Sequence, residues 1–253
     1  MKNDLLTIGS FTVHGYGLMI AIGVIAAYMM AEYRAKKKNM DPDNVFSLVI
    51  WALVSGYIGS KLLFIITILP DVFKDPSILK NVWEGWVVYG GIIGGVIGIM
   101  IMCRVKKLDF WQYIDLTAPS MALAQGFGRI GCLLAGCCYG RPATSAFAIT
   151  FHNSAFAPNN IALVPTQIIS SGLDFANAFV LLWLDRKKKC DGQIMALYMM
   201  FYSAGRFVLE YFRGDLERGS VGVLSTSQFI SIFTFILGVV IFVARTRLCD
   251  KNK

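Results

Sequence analysis

The stretch Gly128-Arg129-Ile130-Gly131-Cys132-Leu133-Leu134-Ala135-Gly136-Cys137-Cys138-Tyr139-Gly140-Arg141 sets a cation among glycines and small residues, inside a run otherwise apolar enough to lie in lipid. On insertion scales an arginine at the bilayer centre costs about 2.5–3.5 kcal/mol, less toward the edges. A carboxylate, backbone carbonyls or an anionic ligand would offset that cost. The glycines let a second backbone or a ligand approach closely. Arg206 and Glu210 are four apart and Arg213 is three further on, so a helix carries all three on one face. Two readings are open for that face. One is a structural ion pair joining helix ends. The other has Glu210 orienting Arg206 and leaving a guanidinium edge for an anion, where the planar fork of donors suits phosphate. With Arg129 at similar depth, two guanidiniums would hold one phosphodiester.

Other polar residues have plainer readings. Cys132, Cys137 and Cys138 do not follow a zinc-ligand spacing, and only His14 and His152 are present to complete one. On a continuous helix, offsets of five and six residues would spread the three sulfurs around the axis. The expectation is therefore small buried packing residues, with a reactive or disulfide-forming pair at Cys137 and Cys138 as the alternative. Glycines at 90, 94 and 98 leave one helix face nearly bare, which suits close packing against a neighbour. Lys61 and Asp174 each need a partner inside the membrane, each other among the candidates. Asp115 is expected near the inner end of its span, away from any outward chemistry.

The elements that must position these groups are read from composition. The 253 residues are 56% hydrophobic and 16% charged, with a mean hydropathy of +0.58, whereas charged residues make up about a quarter of a soluble chain. The apolar residues fall in blocks near the ~20 needed to cross a bilayer as a helix. The fold expected is an all-α integral membrane protein, one polytopic domain over residues 1–253. Seven transmembrane helices are expected near 11–32, 45–69, 86–103, 110–136, 164–184, 193–212 and 222–244. The first apolar stretch, from about Leu5 to Met30, outruns the ~7–15-residue core of a secretory signal and reads as a first span.

Loop charge orients the bundle. Fifteen of the 24 basic residues follow the first, third, fifth and seventh spans. By the positive-inside rule the N-terminus is outside and the C-terminus cytoplasmic. That placement also explains the net charge of +8 without nucleic acid. It puts Cys103, Cys190 and Cys249 beside basic cytoplasmic segments, where they are expected as free thiols. A helix rises 1.5 Å per residue, so Arg129 lies ~29 Å beyond Phe110 and Arg206 ~20 Å beyond Gln193. Both fall in the outer half of the membrane, and Tyr16 and Tyr89 begin spans that enter from outside. Residues 70–85 and 141–163 are expected as small extracytoplasmic caps over the site.

The chain resembles the prolipoprotein diacylglyceryl transferase family over most of its length. The matching pieces are His14-Gly15-Tyr16-Gly17-Leu18-Met19, Gly59-Ser60-Lys61-Leu62, Tyr89-Gly90-Gly91 with Gly94-Gly95, and Gly128-Arg129-Ile130-Gly131 through Gly140. Pro165-Thr166-Gln167, Arg206-Phe207 with Glu210 and Arg213, and Gln228 complete the set. The resemblance implies transfer of a diacylglyceryl group from phosphatidylglycerol to the lipobox cysteine thiol of a preprolipoprotein, at the outer face of a bacterial cytoplasmic membrane. It implies Arg129, Arg206, Glu210 and Tyr89 as catalytic residues. Arg129, Tyr16, Gly128, Gly131, Gly140 and Arg213 are implied at the phospholipid. No cofactor and no metal are expected.

This chain departs from the family where protons are handled. Tyr89 stands where the family usually has a histidine, and Cys132 and Cys137 stand where it commonly has asparagine and glutamate. The base is thus open between Tyr89, a thiol at Cys137 or Cys138, and no dedicated group. Two further readings stay in view: a related transferase with another donor or acceptor that uses Cys137 and Cys138, and a lipid-binding or transport protein without catalysis. A sideways crevice favours the enzymes; a polar path through the whole thickness favours transport.

Overall fold

In a computed structural model, residues 4–8, 11–73, 75, 85–215 and 219–251 are described. Seven helices dominate: α1 Gly15–Lys37, α2 Pro42–Val72, α3 Val88–Val105, α4 Phe110–Ala135, α5 Thr166–Asp185, α6 Gln193–Glu210 and α7 Thr226–Lys251. Three small antiparallel hairpins join them: β1 Asp4–Ile8 with β2 Phe11–His14, β3 Ile149–Thr150 with β4 Ala162–Leu163, and β5 Ser220–Val221 with β6 Leu224–Ser225. The all-α expectation therefore misses these hairpins. The first helix also starts at Gly15 rather than near residue 11, because the β-branched pair in Phe-Thr-Val-His favours a strand that pairs with Asp4–Ile8. The expected cap over 70–85 falls largely on residues 74 and 76–84, outside the described residues.

Five of the seven helices (α1, α2, α3, α5 and α7) are long and apolar enough to cross a membrane. Where no water is available, a helix satisfies its backbone hydrogen bonds within itself, which is why apolar runs of this length take that form. Their outward faces carry Ile58 and Ile66 on α2, Ile93 and Ile97 on α3, and Phe233 and Val240 on α7, all exposed. The two that fall short, α4 and α6, carry Arg129 and Arg206.

The chain divides into two compact units, Met1–Ala31 with Ile114–Lys253, and Glu32–Tyr113. Within the second, α2 and α3 meet along bare backbone. A Cβ on Gly94 would strike the Ser55 carbonyl, and one on Gly90 the Gly59 carbonyl, so the glycine stripe is a packing surface. Lys61 Nζ donates to the Gly85 carbonyl (2.9 Å) and lies over the Trp86 ring, 4.0 Å from its centroid. Its partners are thus groups near the start of α3, in place of the Asp174 that the sequence offered.

In the first unit α4 is central: Ile114 to Ser120 are all buried, and Ala118 and Ala122 pack with Ala178, Leu181, Ile194 and Tyr198 of α5 and α6. At one end, Asp115 accepts the backbone N–H groups of Gly192 and Met195, both at 2.8 Å, and pairs with Lys188 at 3.3 Å. It supplies two of the acceptors that the start of α6 lacks. Burial opposes the Lys188 charge, but its bond to Asp191 and the nearby Asp115 carry the pKa upward. Cys190 and Cys249 are disulfide-bonded, tying the start of α6 to the end of α7. This overturns the expectation of free thiols. A sequence separation of 59 says nothing of the two helix ends meeting, and the bond lies on the face that loop charge assigns to the reducing side.

Asp115→Ala should cost about 1–3 kcal/mol, the penalty for leaving buried N–H groups without an acceptor. A lower thermal midpoint in detergent would register it; an unchanged midpoint would remove Asp115 from this role.

Candidate functional site

The site is built where α4 ends. Gly136 takes the left-handed conformation (φ +74). Its N–H donates to the Leu133 carbonyl (3.2 Å), while that of Cys137 reaches back to the Cys132 carbonyl (3.1 Å). These two bonds are the Schellman arrangement that closes a helix on a glycine. Cys138 is left-handed as well, at φ +60, and the chain doubles back on itself. The polar start of α5 then clamps the turn. Thr166 Oγ1 donates to the Cys138 carbonyl and Gln167 Nε2 to the Cys137 carbonyl, each at 2.9 Å, and Ser171 Oγ reaches the Gly126 carbonyl at 2.9 Å. Gly140 passes so close to Val164 that a Cβ there would collide with the Val164 carbonyl. It also pairs with Arg213, and the Arg141 N–H donates to the Phe212 carbonyl at 2.9 Å. Three chain segments thus cross at Gly140, which sets Arg213 beside Cys138.

Arg129, Arg206 and Arg213 line one cavity together with Cys138, Thr166, Gln167, Ser170 and Leu209. Their ion pairs are unequal. Arg213 makes a two-pronged pair with Asp215, at 2.9 and 2.7 Å. Arg206 pairs with Glu210 at 2.7 Å and donates to Ser227 Oγ at 2.9 Å. Among the described residues, Arg129 has one ion-pair partner, Asp174, and its Nε is 3.9 Å from Oδ2, beyond hydrogen-bond range. The Arg129 side chain is four-fifths buried. A guanidinium so placed keeps its donors available to an incoming anion.

Ser170, Arg206 and Leu209 also border a second hollow of about 280 Å³ between α5 and α6. Its walls include Leu173, Ala176, Val180, Phe201 and Tyr202. A small polar hollow of about 10 Å³ with three cations thus adjoins a mainly apolar groove. The 141–163 segment, expected as a cap, is folded around Phe151, which is fully buried against Leu133, Tyr139 and Leu163.

Electrostatics outside the helices centre on Cys138. Hydrogen bonds from the Cys132 and Cys137 thiols, with the Arg213 guanidinium nearby, hold its thiol below the usual range against the effect of burial. The same thiol–thiol bonds push Cys137 up. Burial works against the Arg213 charge, and Asp215 with Cys138 outweighs it, raising that pKa.

A profile described as prolipoprotein diacylglyceryl transferase matches residues 3–244. The chain belongs to the prolipoprotein diacylglyceryl transferase family. A Clostridium tetani protein named phosphatidylglycerol–prolipoprotein diacylglyceryl transferase is 47% identical over 242 residues, 96% of this chain and 97% of the relative. One from Clostridium perfringens, with the same name numbered 2, is 46% identical over 243 residues, 96% and 94% of the two chains. A Staphylococcus saprophyticus protein of that name is 32% identical over 244 residues, covering 94% and 87%.

Set beside this diacylglyceryl transferase membership, the geometry brings together Arg129, Arg206, Glu210, Arg213, Gly140 and Cys138. Gly131 packs against the Tyr16 ring, 3.2 Å from where its Cβ would be, and the space beside Gly128 is open. Tyr89 opens α3 in the Glu32–Tyr113 unit. Three groups escaped the sequence reading. Asp174, for which the sequence offers Lys61 as a partner, instead interacts with both Arg129 and Arg206. Tyr202 lines the groove beside Arg206 and Asp174. Asp215 follows Arg213 by two residues beyond the helix, where periodicity gives no warning. An unpartnered carboxylate inside a span was the available signal for Asp174.

Gly140→Ala must open the crossing at Val164 and is expected to cost about 1–3 kcal/mol as overpacking. Denaturation in detergent measures it, and a neutral result would mean that the crossing is not tight.

Proposed function

We infer that this chain transfers a diacylglyceryl group from phosphatidylglycerol to the cysteine thiol of a prolipoprotein. Family membership across residues 3–244 and the names of relatives up to 47% identical support the reaction and both substrates. The observation that carries the residue assignment is Arg129, held near Asp174 but beyond hydrogen-bond range, on a cavity wall shared with Arg206 and Arg213.

In this reading the phosphate of phosphatidylglycerol lies between Arg129 and Arg206, and an acyl chain extends along the groove between α5 and α6. The prolipoprotein sulfur attacks the glyceryl carbon that bears the phosphate. The carbon–sulfur bond forms as the carbon–oxygen bond breaks, and glycerol phosphate departs with the electron pair. Guanidiniums already in place stabilise the charge gathering on the leaving oxygen, which is where fixed donors accelerate a reaction. Glu210 acts by orienting Arg206. Tyr16 and the backbone at Gly128, Gly131 and Gly140 shape the headgroup site, and Arg213 adds positive potential. Three acceptors stay open for the thiol proton: Tyr89 in the sequence position of the family's usual histidine, a thiol at Cys137 or Cys138, and solvent with no dedicated group.

The proposed setting is a single polytopic domain of seven spans in the bacterial cytoplasmic membrane. Its N-terminus is outside, its C-terminus cytoplasmic, and its site opens to the extracytoplasmic leaflet. Loop charge supports the orientation. The polar residues of α4 and α6 support placing those helices among apolar partners.

Two experiments test the assignment, both with purified protein, phosphatidylglycerol and a lipobox peptide. Arg129→Ala should lower kcat by about 10²–10³, the loss typical of removing a donor to a developing oxyanion, and Arg129→Lys should recover little because the fork is lost. An undiminished rate would reject the phosphate clamp. A phenol is a base only near pH ~10, whereas imidazole is one above pH ~6.5. With Tyr89 as the acceptor, wild-type activity climbs through the alkaline range, and Tyr89→His moves that climb toward neutrality. An unmoved profile would dismiss Tyr89 as the proton acceptor.

A further inference from the structure

The three cysteines that the sequence spreads around a helix converge in the fold. Cys132 is on the last turn of α4, and the Schellman turn at Gly136 brings Cys137 back over it. The left-handed backbone of Cys138 returns the third sulfur to the same point. The three Sγ atoms all lie within 4.8 Å of one another, the one such group of potential metal ligands among the described residues. A soft cation bound to thiolates at ~2.3 Å sets three sulfurs about 4 Å apart, so closing onto one requires shifts well under an ångström per sulfur.

We propose that Cys132, Cys137 and Cys138 form a three-thiolate site for a soft metal cation of the Zn(II) or Cu(I) class. Donor type argues for these ions, since thiolates select Cu(I) and Zn(II) over the harder divalent cations. The surroundings are those of a built site. The carbonyls of Cys137 and Cys138 are fixed by Gln167 and Thr166, so the ligand backbone is held before any ion arrives. A left-handed non-glycine residue such as Cys138 is a conformation that proteins keep where it serves a purpose. Cys132 is buried, while Cys138 lines the arginine cavity and gives an ion a way in. Binding displaces the remaining thiol protons to solvent and leaves the metal's oxidation state unchanged. Arg213, beside Cys138, offsets part of the charge of the filled site. The inference is independent of the transferase reading.

The test uses the full-length protein in detergent with Cys190→Ser and Cys249→Ser, so that reduction frees no other thiol pair, reduced and freed of reductant under anaerobic conditions. Titration with Cd(II), a spectroscopic stand-in for Zn(II), should produce thiolate-to-metal charge-transfer absorption that saturates at one ion per chain. A parallel Cu(I) titration against a chromophoric chelator decides between a divalent ion with an open fourth position and a three-coordinate monovalent one. Cys137→Ser and Cys138→Ser should each weaken binding by ~100-fold or more, beyond what loss of a mere outer partner costs. Cys103→Ser should leave it unchanged. The thermal midpoint should rise with Cd(II) in the parent protein and stay put in the two variants. Because Cys137 and Cys138 are less buried than Cys132, these variants keep the test open should Cys132→Ser fail to fold. Absence of saturable charge transfer with either ion, or full absorption in Cys137→Ser and Cys138→Ser, would overturn the proposal.

Discussion

Three guanidiniums converge on one cavity, and the protein supplies a carboxylate for each, but not on equal terms. Asp215 grips Arg213 with two hydrogen bonds and Glu210 holds Arg206 with one close contact, while Asp174 stops short of Arg129. Cations buried this close repel one another, and two tight pairs limit that repulsion enough for the helices to pack. The loose third pair leaves the cluster's attraction for an anion directed at one position. Binding a phosphate then needs no existing ion pair to break, so the affinity is not spent on rearrangement. Everything else in this unit serves that inequality, from the burial of α4 to the polar start of α5.

The polar face of α5 is the device that holds the arrangement in place. Thr166 and Gln167 donate to the Cys138 and Cys137 carbonyls in the turn that follows α4, and Ser171 donates to the Gly126 carbonyl within the helix. One short row of neutral side chains thereby fixes both the helix that carries Arg129 and the turn that carries Cys138. Thr166 and Gln167 line the arginine cavity, and Ser170 beside them lines both that cavity and the groove toward α6, so the place where a headgroup would sit and the place where a chain would lie share one wall.

Much of this was legible in the residues. The apolar blocks located all seven helices, although α1 starts four residues late and α7 runs seven residues past its expected end, and the cost of a lone arginine in lipid singled out Arg129 as needing a partner. Arg206 and Glu210 were paired by their four-residue spacing alone. The failures share a cause. Lys61 and Asp174 were matched because both were charges without partners, yet each found its contacts through folding that pattern analysis does not follow. The cysteines were placed on a continuing helix, although Gly136 was a visible stop signal. Once a left-handed glycine ends the helix, helical angles no longer apply, and residues computed to diverge are brought together. The disulfide between Cys190 and Cys249 failed for the reverse reason: a sequence separation carries no information about which helix ends are neighbours.

The uneven apolarity of the helices bears on biogenesis. A translocon judges each segment as it emerges, and α4 and α6, with their arginines, glutamines and buried carboxylates, would be poor candidates for entry alone. Each is flanked in the chain by strongly apolar segments, α3 and α5 on either side of the first, α5 and α7 around the second. For α4 and α6 to cross, their insertion has to be cooperative, with the neighbours retaining them until their carboxylates and guanidiniums meet.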